Sequence, residues 1–273
     1  MDPWPDVVCL GELLIDLVAI GDHPSIERAT TFRASAGGAP ANVAVGLRRL
    51  GVSAGFIGKV SEDAFGRSLR ATLKAEAVDL RGLVTDPAAR TPLAFVGQGP
   101  GDGRTWVFYH RGMADTLLRP DEVDHELIGH ARIFHFGSVS LAAEPGRSAT
   151  LAAARVAREQ GCLVSFDPNV RLEVWDDPTD ARRTIDAALS LADVVKVSRD
   201  EIAFLTDTAE PAAAGRALLG SGPRLVIVTL GDAGAWVSAG TFADVVRAFE
   251  VRSVDPTGAG DAFVAGFLSR LLD

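Results

Sequence analysis

Short, continuously apolar runs alternate along the chain with longer stretches in which apolar positions recur every three to four residues. The short runs are Val7–Leu10, Gly55–Val60, Ile133–Gly137, Leu163–Asp167, Val194–Val197 and Leu225–Leu230. Several are apolar throughout, as strands covered on both faces are. Between them, Val43, Leu47 and Leu50 line one face of a helix predicted over Asn42–Leu50, and Leu69 and Leu73 line another over Phe65–Ala77. Ala149–Gln160, Ala181–Leu191 and Ala212–Leu219 continue the alternation. Strands alternating with helices of this length predict an α/β fold, with a central, mostly parallel sheet and helices on both faces.

Two stretches break the rhythm. Leu13–Ile20 prolongs the first strand, and Pro92–Val96 and Thr105–Tyr109 flank the glycine-rich Gly97–Gly103. That centre reads as a hairpin turn. It is not a phosphate loop, since no helix and no Gly-Lys-Ser/Thr follows it. Strands near 12–20 and 91–110 therefore predict a small sheet projecting from the main one, a natural lid over a site at the strand ends.

Composition narrows the class. A chain of 273 residues, 47% hydrophobic, suits one domain with a small excursion. A net charge of −9 argues against a nucleic-acid or anionic-membrane partner. Cys9 and Cys162 each lie in an apolar run, as buried, reduced thiols do. With no basic leader and no run of membrane-spanning length, the expectation is a soluble, cytoplasmic protein.

Polar residues at the element ends supply candidate chemistry. Gly258-Ala259-Gly260-Asp261 leads straight into the apolar, helix-like run Phe263–Leu268. Such a junction is often only a tight turn with an N-cap. It can also hold an anion on its free amides while its carboxylate takes a proton from a hydroxyl. Gly37-Gly38-Ala39-Pro40-Ala41-Asn42 opens the first helix in a similar way, and Asp16 is an acid in an apolar strand. Asp167-Pro168-Asn169-Val170-Arg171 and Thr229-Leu230-Gly231-Asp232-Ala233-Gly234 follow predicted strands, where open α/β sheets bind ligands. Arg171 carries a fork suited to phosphate or carboxylate. The five histidines have no metal-site spacing, and no Gly-x-Ser-x-Gly elbow is present.

Taken in order, these segments resemble the ribokinase-like (PfkB) carbohydrate kinases, most of all the fructokinase branch, from Val7 to the last residue. The resemblance is carried by Gly11–Asp16, Gly37–Ala44, Phe56–Val60, Phe134–Ser138, Ser165–Arg171, Lys196–Ser198 with Glu201, and Asp255–Asp261. It implies that Asp261 is the catalytic base and that Gly258, Ala259 and Gly260 form an anion hole for the transferring phosphate. Asp16, Gly37, Gly38, Asn42 and Arg171 match substrate-binding positions. Ser198, Thr229, Gly231 and Gly234, with Gly258 and Gly260, match the nucleotide site. Glu201 matches the acid that organises Mg²⁺ through water, and Asp255 and Thr257 match a monovalent-cation site. The implied ligands are thus a sugar, ATP, Mg²⁺ and K⁺.

Departures from the pattern qualify the substrate. Pro256 replaces the usual Thr, and Ser198 stands where many relatives carry Asn. Arg111 is displaced by one position from the arginine that fructokinases carry directly after Tyr, which on a strand reverses its face. Relatives also continue past the catalytic helix with segments that wall the adenine, whereas this sequence ends at Asp273. The expectation is an ATP-dependent kinase converting fructose to fructose 6-phosphate. Its rivals are a 2-keto-3-deoxygluconate kinase, with Arg171 meeting a substrate carboxylate, and a catalytically weak sugar- or nucleotide-binding protein. A projecting lid with an exposed face predicts a homodimer.

Overall fold

The computed structural model describes residues 3–21, 24–99, 103–252 and 256–273. The first part of the chain forms β1 (Val7–Leu10), β2 (Leu14–Ile20), β3 (Thr31–Gly37), α1 (Ala39–Arg49), β4 (Ala54–Ser61), α2 (Ala64–Ala75) and β5 (Leu83–Asp86). The middle forms β6 (Leu93–Gln98), β7 (Arg104–Tyr109), α3 (His125–Gly129), β8 (Ile133–Gly137), α4 (Gly146–Glu159) and β9 (Leu163–Asp167). The rest forms α5 (Pro178–Leu189), β10 (Val194–Ser198), α6 (Arg199–Thr206), α7 (Pro211–Leu219), β11 (Leu225–Thr229), β12 (Ala235–Ala239), β13 (Phe242–Val246) and α8 (Ala259–Leu271).

Among the described residues, the main sheet runs β13-β12-β11-β10-β9-β8-β1-β4-β5. The pairs from β11 across to β5 are parallel, and β12 and β13 return antiparallel at one edge. The unbroken apolar strands have the expected cause. Val8 and Leu10 of β1 join one core with Phe134, Phe136 and Phe166, while Val7 and Cys9 join a second core with Phe56, Leu47 and Val264. Each strand is thus packed on both faces. Strand order runs outward from β1 to β4 and β5 on one side and to β8, β9 and β10 on the other. The crevice beyond the C-terminal ends of β1 and β8 is where such a reversal leaves room for a ligand.

The predicted lid is a separate sheet of order β3-β2-β6-β7. It corrects one expectation. Leu13–Ile20 does not prolong the first strand: the chain breaks at Gly11–Leu13 and β2 belongs wholly to the lid. β6 and β7 form the antiparallel hairpin, closed by a Gly99 amide donating to the Gly103 carbonyl at 2.8 Å. The tip between these two glycines lies outside the described residues. The alternation of β7 turns Trp106 and Phe108 toward the main domain, while Tyr109 stays exposed. β3 was not expected as a strand. Its alternating apolar positions are Phe32 and two small alanines, too weak a signal without its partner β2.

Candidate active site

Two helices bring the distant acid and amide together. Gly46 of α1 lies against Ala265 of α8, so closely that a Cβ on Gly46 would stand 2.7 Å from the Ala265 Cβ. Asn42 and Asp261 each lie four residues earlier on their helices, one turn toward the same end. There the Asn42 Nδ2 donates to Asp261 Oδ2 at 2.8 Å. Asp261 is pushed up to about 6, chiefly by burial, with the Asn42 hydrogen bond opposing that rise. Nearby Asp167 raises it further, and Lys196 and Arg171 lower it. Near neutrality it is a carboxylate basic enough to accept a proton from a hydroxyl.

The turn before Asp261 is built to face a ligand. Gly258 caps α8 in a left-handed conformation at φ 75°, with open space where a side chain would stand. The first-turn amides of Gly260 and Asp261 precede any intrahelical acceptor, and the helix dipole adds to their pull on an anion. Ala259 behaves differently from its neighbours. Its amide donates to the Pro256 carbonyl at 3.1 Å. Thr257 receives a hydrogen bond from Arg104 of β7, which joins the second sheet to the turn before Asp261. Asp255 lies outside the described residues.

Asp261 opens onto a cavity of about 680 Å³ whose walls also carry Asp16, Gly38, Asn42 and Arg171. The glycine pair makes that wall possible. A Cβ on Gly37 would stand 2.2 Å from Asp16 Oδ2, and one on Gly38 would stand 2.2 Å from the Glu12 carbonyl oxygen. Gly37 thus leaves Asp16 its place without itself lining the cavity. Burial pushes Asp16 up to about 6, and Arg171 opposes that rise. The Arg171 guanidinium donates to the Val170 carbonyl at 2.9 Å and sits 5.6 Å over the Trp106 ring. It therefore stands between the lid and the two acids, held by the turn after β9. Arg111, in contrast, pairs with Asp176 at the surface and does not reach the cavity.

On the far side, Ser198 and Glu201 line the same cavity. They form a capping box for α6, in which Glu201 Oε2 accepts from the Ser198 amide at 2.7 Å. Glu201 Oε1 accepts from the Val170 amide at 2.6 Å, which ties α6 to the Arg171 turn. Thr229, Gly231 and Gly234 are one strand further on, since Thr229 pairs with Ser198 across β10 and β11. None of these three lines the cavity. The Thr229 hydroxyl donates to the Val197 carbonyl at 3.3 Å, and a Cβ on Gly234 would stand 2.0 Å from the Val246 carbonyl oxygen.

Two wall residues had no role assigned by sequence reasoning. Glu12 Oε1 accepts from the Ala39 amide at 2.7 Å and so holds the start of α1, and burial pushes its carboxyl up to about 7. Lys196 lies beside Gly260 and bonds Asp167 at 3.0 Å. Both stand within motifs quoted above, but only the folded chain shows what they touch.

A chain that sets an acid at a helix N-terminus, in one cavity with a second acid and an arginine beside a small second sheet, matches one family along nearly its whole length. The profile of the pfkB family carbohydrate kinases matches residues 5–273. The protein belongs to the pfkB family of carbohydrate kinases. It is similar to "Probable fructokinase-6, chloroplastic" of Arabidopsis thaliana, 46% identical over 98% of this chain and 70% of that one. Among solved structures it resembles a fructokinase from Vibrio cholerae O395 in fructose-, ADP- and calcium-bound form, with a TM-score of 0.88 and 37% identity over 99% of this chain and 85% of that one. It also resembles a fructokinase from Xylella fastidiosa with bound ATP, with a TM-score of 0.88 and 34% identity over 97% of this chain and 80% of that one. The mostly parallel sheet with a small second sheet is the pfkB kinase architecture. Among the described residues no helix is long and apolar enough to cross a membrane.

Proposed function

We propose that this pfkB kinase transfers the γ-phosphoryl group of MgATP to a hydroxyl of fructose, giving fructose 6-phosphate and ADP. The observation that carries this reading is the placement of Asp261. Its carboxylate, raised to about 6, sits in the first turn of α8 and opens onto the cavity that holds Asp16 and Arg171. Asp16, with Gly38 and Asn42, binds the sugar hydroxyls. Asp261 removes the proton of the acceptor hydroxyl as that oxygen bonds to the γ-phosphorus. The bond from phosphorus to the bridging oxygen breaks, and its electron pair leaves with ADP. The amides of Gly258 and Gly260 and the helix dipole hold the charge spread over the phosphoryl oxygens. Ser198, Thr229, Gly231 and Gly234 border the nucleotide.

Magnesium enters here as part of the nucleotide substrate. Among the described residues no group of three or more His, Cys, Asp or Glu side chains stands ready to hold a metal. Both Glu201 oxygens already accept from the protein, which suits ordering of the ion's water shell rather than direct ligation. Thr257, with Asp255, is proposed for a monovalent cation such as K⁺. The reading extends to a cytoplasmic homodimer. Two buried free cysteines suit a reducing compartment, and the exposed Val107 and Tyr109 on the lid offer a pairing surface.

The deciding experiment is ADP release from MgATP against a sugar panel, for the wild type and Asp261→Asn. Fructose-dependent turnover that falls by roughly a thousandfold or more in the variant supports the reading. Arg171 inside the cavity favours one alternative, a 2-keto-3-deoxygluconate kinase, and preference for that acid sugar over fructose would overturn the fructose assignment. Fructose binding with equal inactivity of wild type and variant would overturn the kinase assignment in favour of a binding protein.

A further inference from the structure

Lys196 is the one cation buried beneath the catalytic turn among the described residues. It lies at the middle of β10, and Asp167 is the last residue of the parallel neighbour β9, one step beyond the Val195–Phe166 pair. The strand register sets the two side by side, and Lys196 Nζ donates to Asp167 Oδ2 at 3.0 Å. Both side chains are almost wholly buried. On its other side the ammonium faces the start of α8, where a Cβ on Gly260 would stand 3.2 Å from it. A side chain at 260 would therefore separate the ammonium from the turn, and glycine keeps the approach close.

The surroundings keep this ammonium charged. Burial opposes the charge, but Asp167, Glu201 and Asp261 together outweigh it and hold Lys196 above its usual value. His135, on β8, is driven down to about 3 by burial and by Lys196, so it is neutral and does not compete as a cation. Asp261 itself faces Asn42 from α1, Asp167 from β9, Arg171 from the turn after β9 and Lys196 from β10.

We propose that Lys196 is a positioning residue of phosphoryl transfer: tethered by Asp167 beneath Gly260, its ammonium sets the charge and place of the Asp261 carboxylate. The inference rests on Asp261 serving as the base. Asp167 thus has two opposed effects, anchoring the cation while repelling the carboxylate. Removing Lys196 makes Asp261 harder to ionise, and removing the Asp167 charge makes it easier.

The test compares the pH dependence of kcat in wild type, Lys196→Met, Lys196→Arg and Asp167→Asn. Carboxyl ¹³C titration of Asp261 in the sugar-free protein accompanies it, the signal being assigned by its loss in Asp261→Asn. Lys196→Met lowers kcat by about a hundredfold, leaves the fructose KM within about threefold, and moves the acidic limb up by about one pH unit. Lys196→Arg restores the limb to the wild-type position. Asp167→Asn moves it downward, which keeps the idea testable if the methionine variant does not fold. A limb and an Asp261 titration unchanged in folded Lys196→Met, or an upward shift in Asp167→Asn, overturns the proposal. The carboxyl titration reads the inference without turnover, so absence of kinase activity in the wild type counts against the proposed function alone.

Discussion

Asn42 and Asp261, 219 positions apart in the chain, are joined by a 2.8 Å hydrogen bond in the wall of the cavity. The bond holds one carboxylate oxygen, Oδ2, in place and opposes the rise that burial causes. A hydrogen bond to a charged group is worth about 1.5–3 kcal/mol. Asn42→Ala is expected to lower kcat/KM for fructose roughly 10- to 100-fold and to move the acidic limb of the rate profile upward from near pH 6. An unchanged limb would show that Asn42 acts only on the sugar.

The bond depends on how closely two helices approach. Gly46→Val places side-chain atoms where Ala265 already stands, and overpacking of this kind costs about 1–3 kcal/mol. Both the melting temperature and kcat should fall. Gly266→Ala, on α8 but facing open space, is the control. It is expected to hold or raise the melting temperature by removing a helical glycine worth about 1 kcal/mol, with kcat retained.

Ionising Asp261 in its buried place opposes folding. Its folded value is raised to about 6 from 3.8, so the native state binds the proton more tightly than the unfolded chain does. Stability is therefore lost as pH rises between those two values, and the loss is complete above the folded one. Asp261→Asn is expected to stabilise the fold at pH 8 by on the order of 2–3 kcal/mol, while abolishing turnover. The gain should vanish by about pH 4. Thermal melts of both proteins at the two pH values check this, and a gain of the variant over wild type no larger at pH 8 than at pH 4 contradicts it.

Trp106 reaches across from the lid to Arg171, whose guanidinium centre lies 5.6 Å from the ring centroid. Trp106→Ala removes that packing and one wall of the cavity while leaving Asp261 and its partners in place. The fructose KM is expected to rise about tenfold with kcat within about threefold, since a cation–π contact and buried ring area are worth about 1–2 kcal/mol. A fall in kcat at constant KM would assign the lid a role in the chemical step instead.

The strands were legible because burial on both faces leaves runs such as Val194–Val197 with almost no polar interruption, and the lid because its hairpin breaks the helix–strand alternation. β3 and α6 escaped that reading for different reasons. β3 is held by pairing with β2, and its own alanines carry little apolar signal. α6 starts directly after β10 with no turn between them, although its Ser198–Glu201 capping box was present to be read. In the site, Asp261, Asn42, Gly38, Asp16 and Arg171 were singled out by type and setting, and they share one cavity.

By itself the chain determined the layer architecture, the lid and the acid at the head of α8. Those follow from local periodicity and from glycine placement, which a linear pattern carries. Only the tertiary structure decided what that acid can do. Its basicity depends on burial and on Asn42, Asp167, Arg171 and Lys196, which come from three different segments. Electrostatic strength falls with distance and with solvent access, and neither is defined until the sheet, the crossing of α1 on α8 and the lid have set these groups side by side.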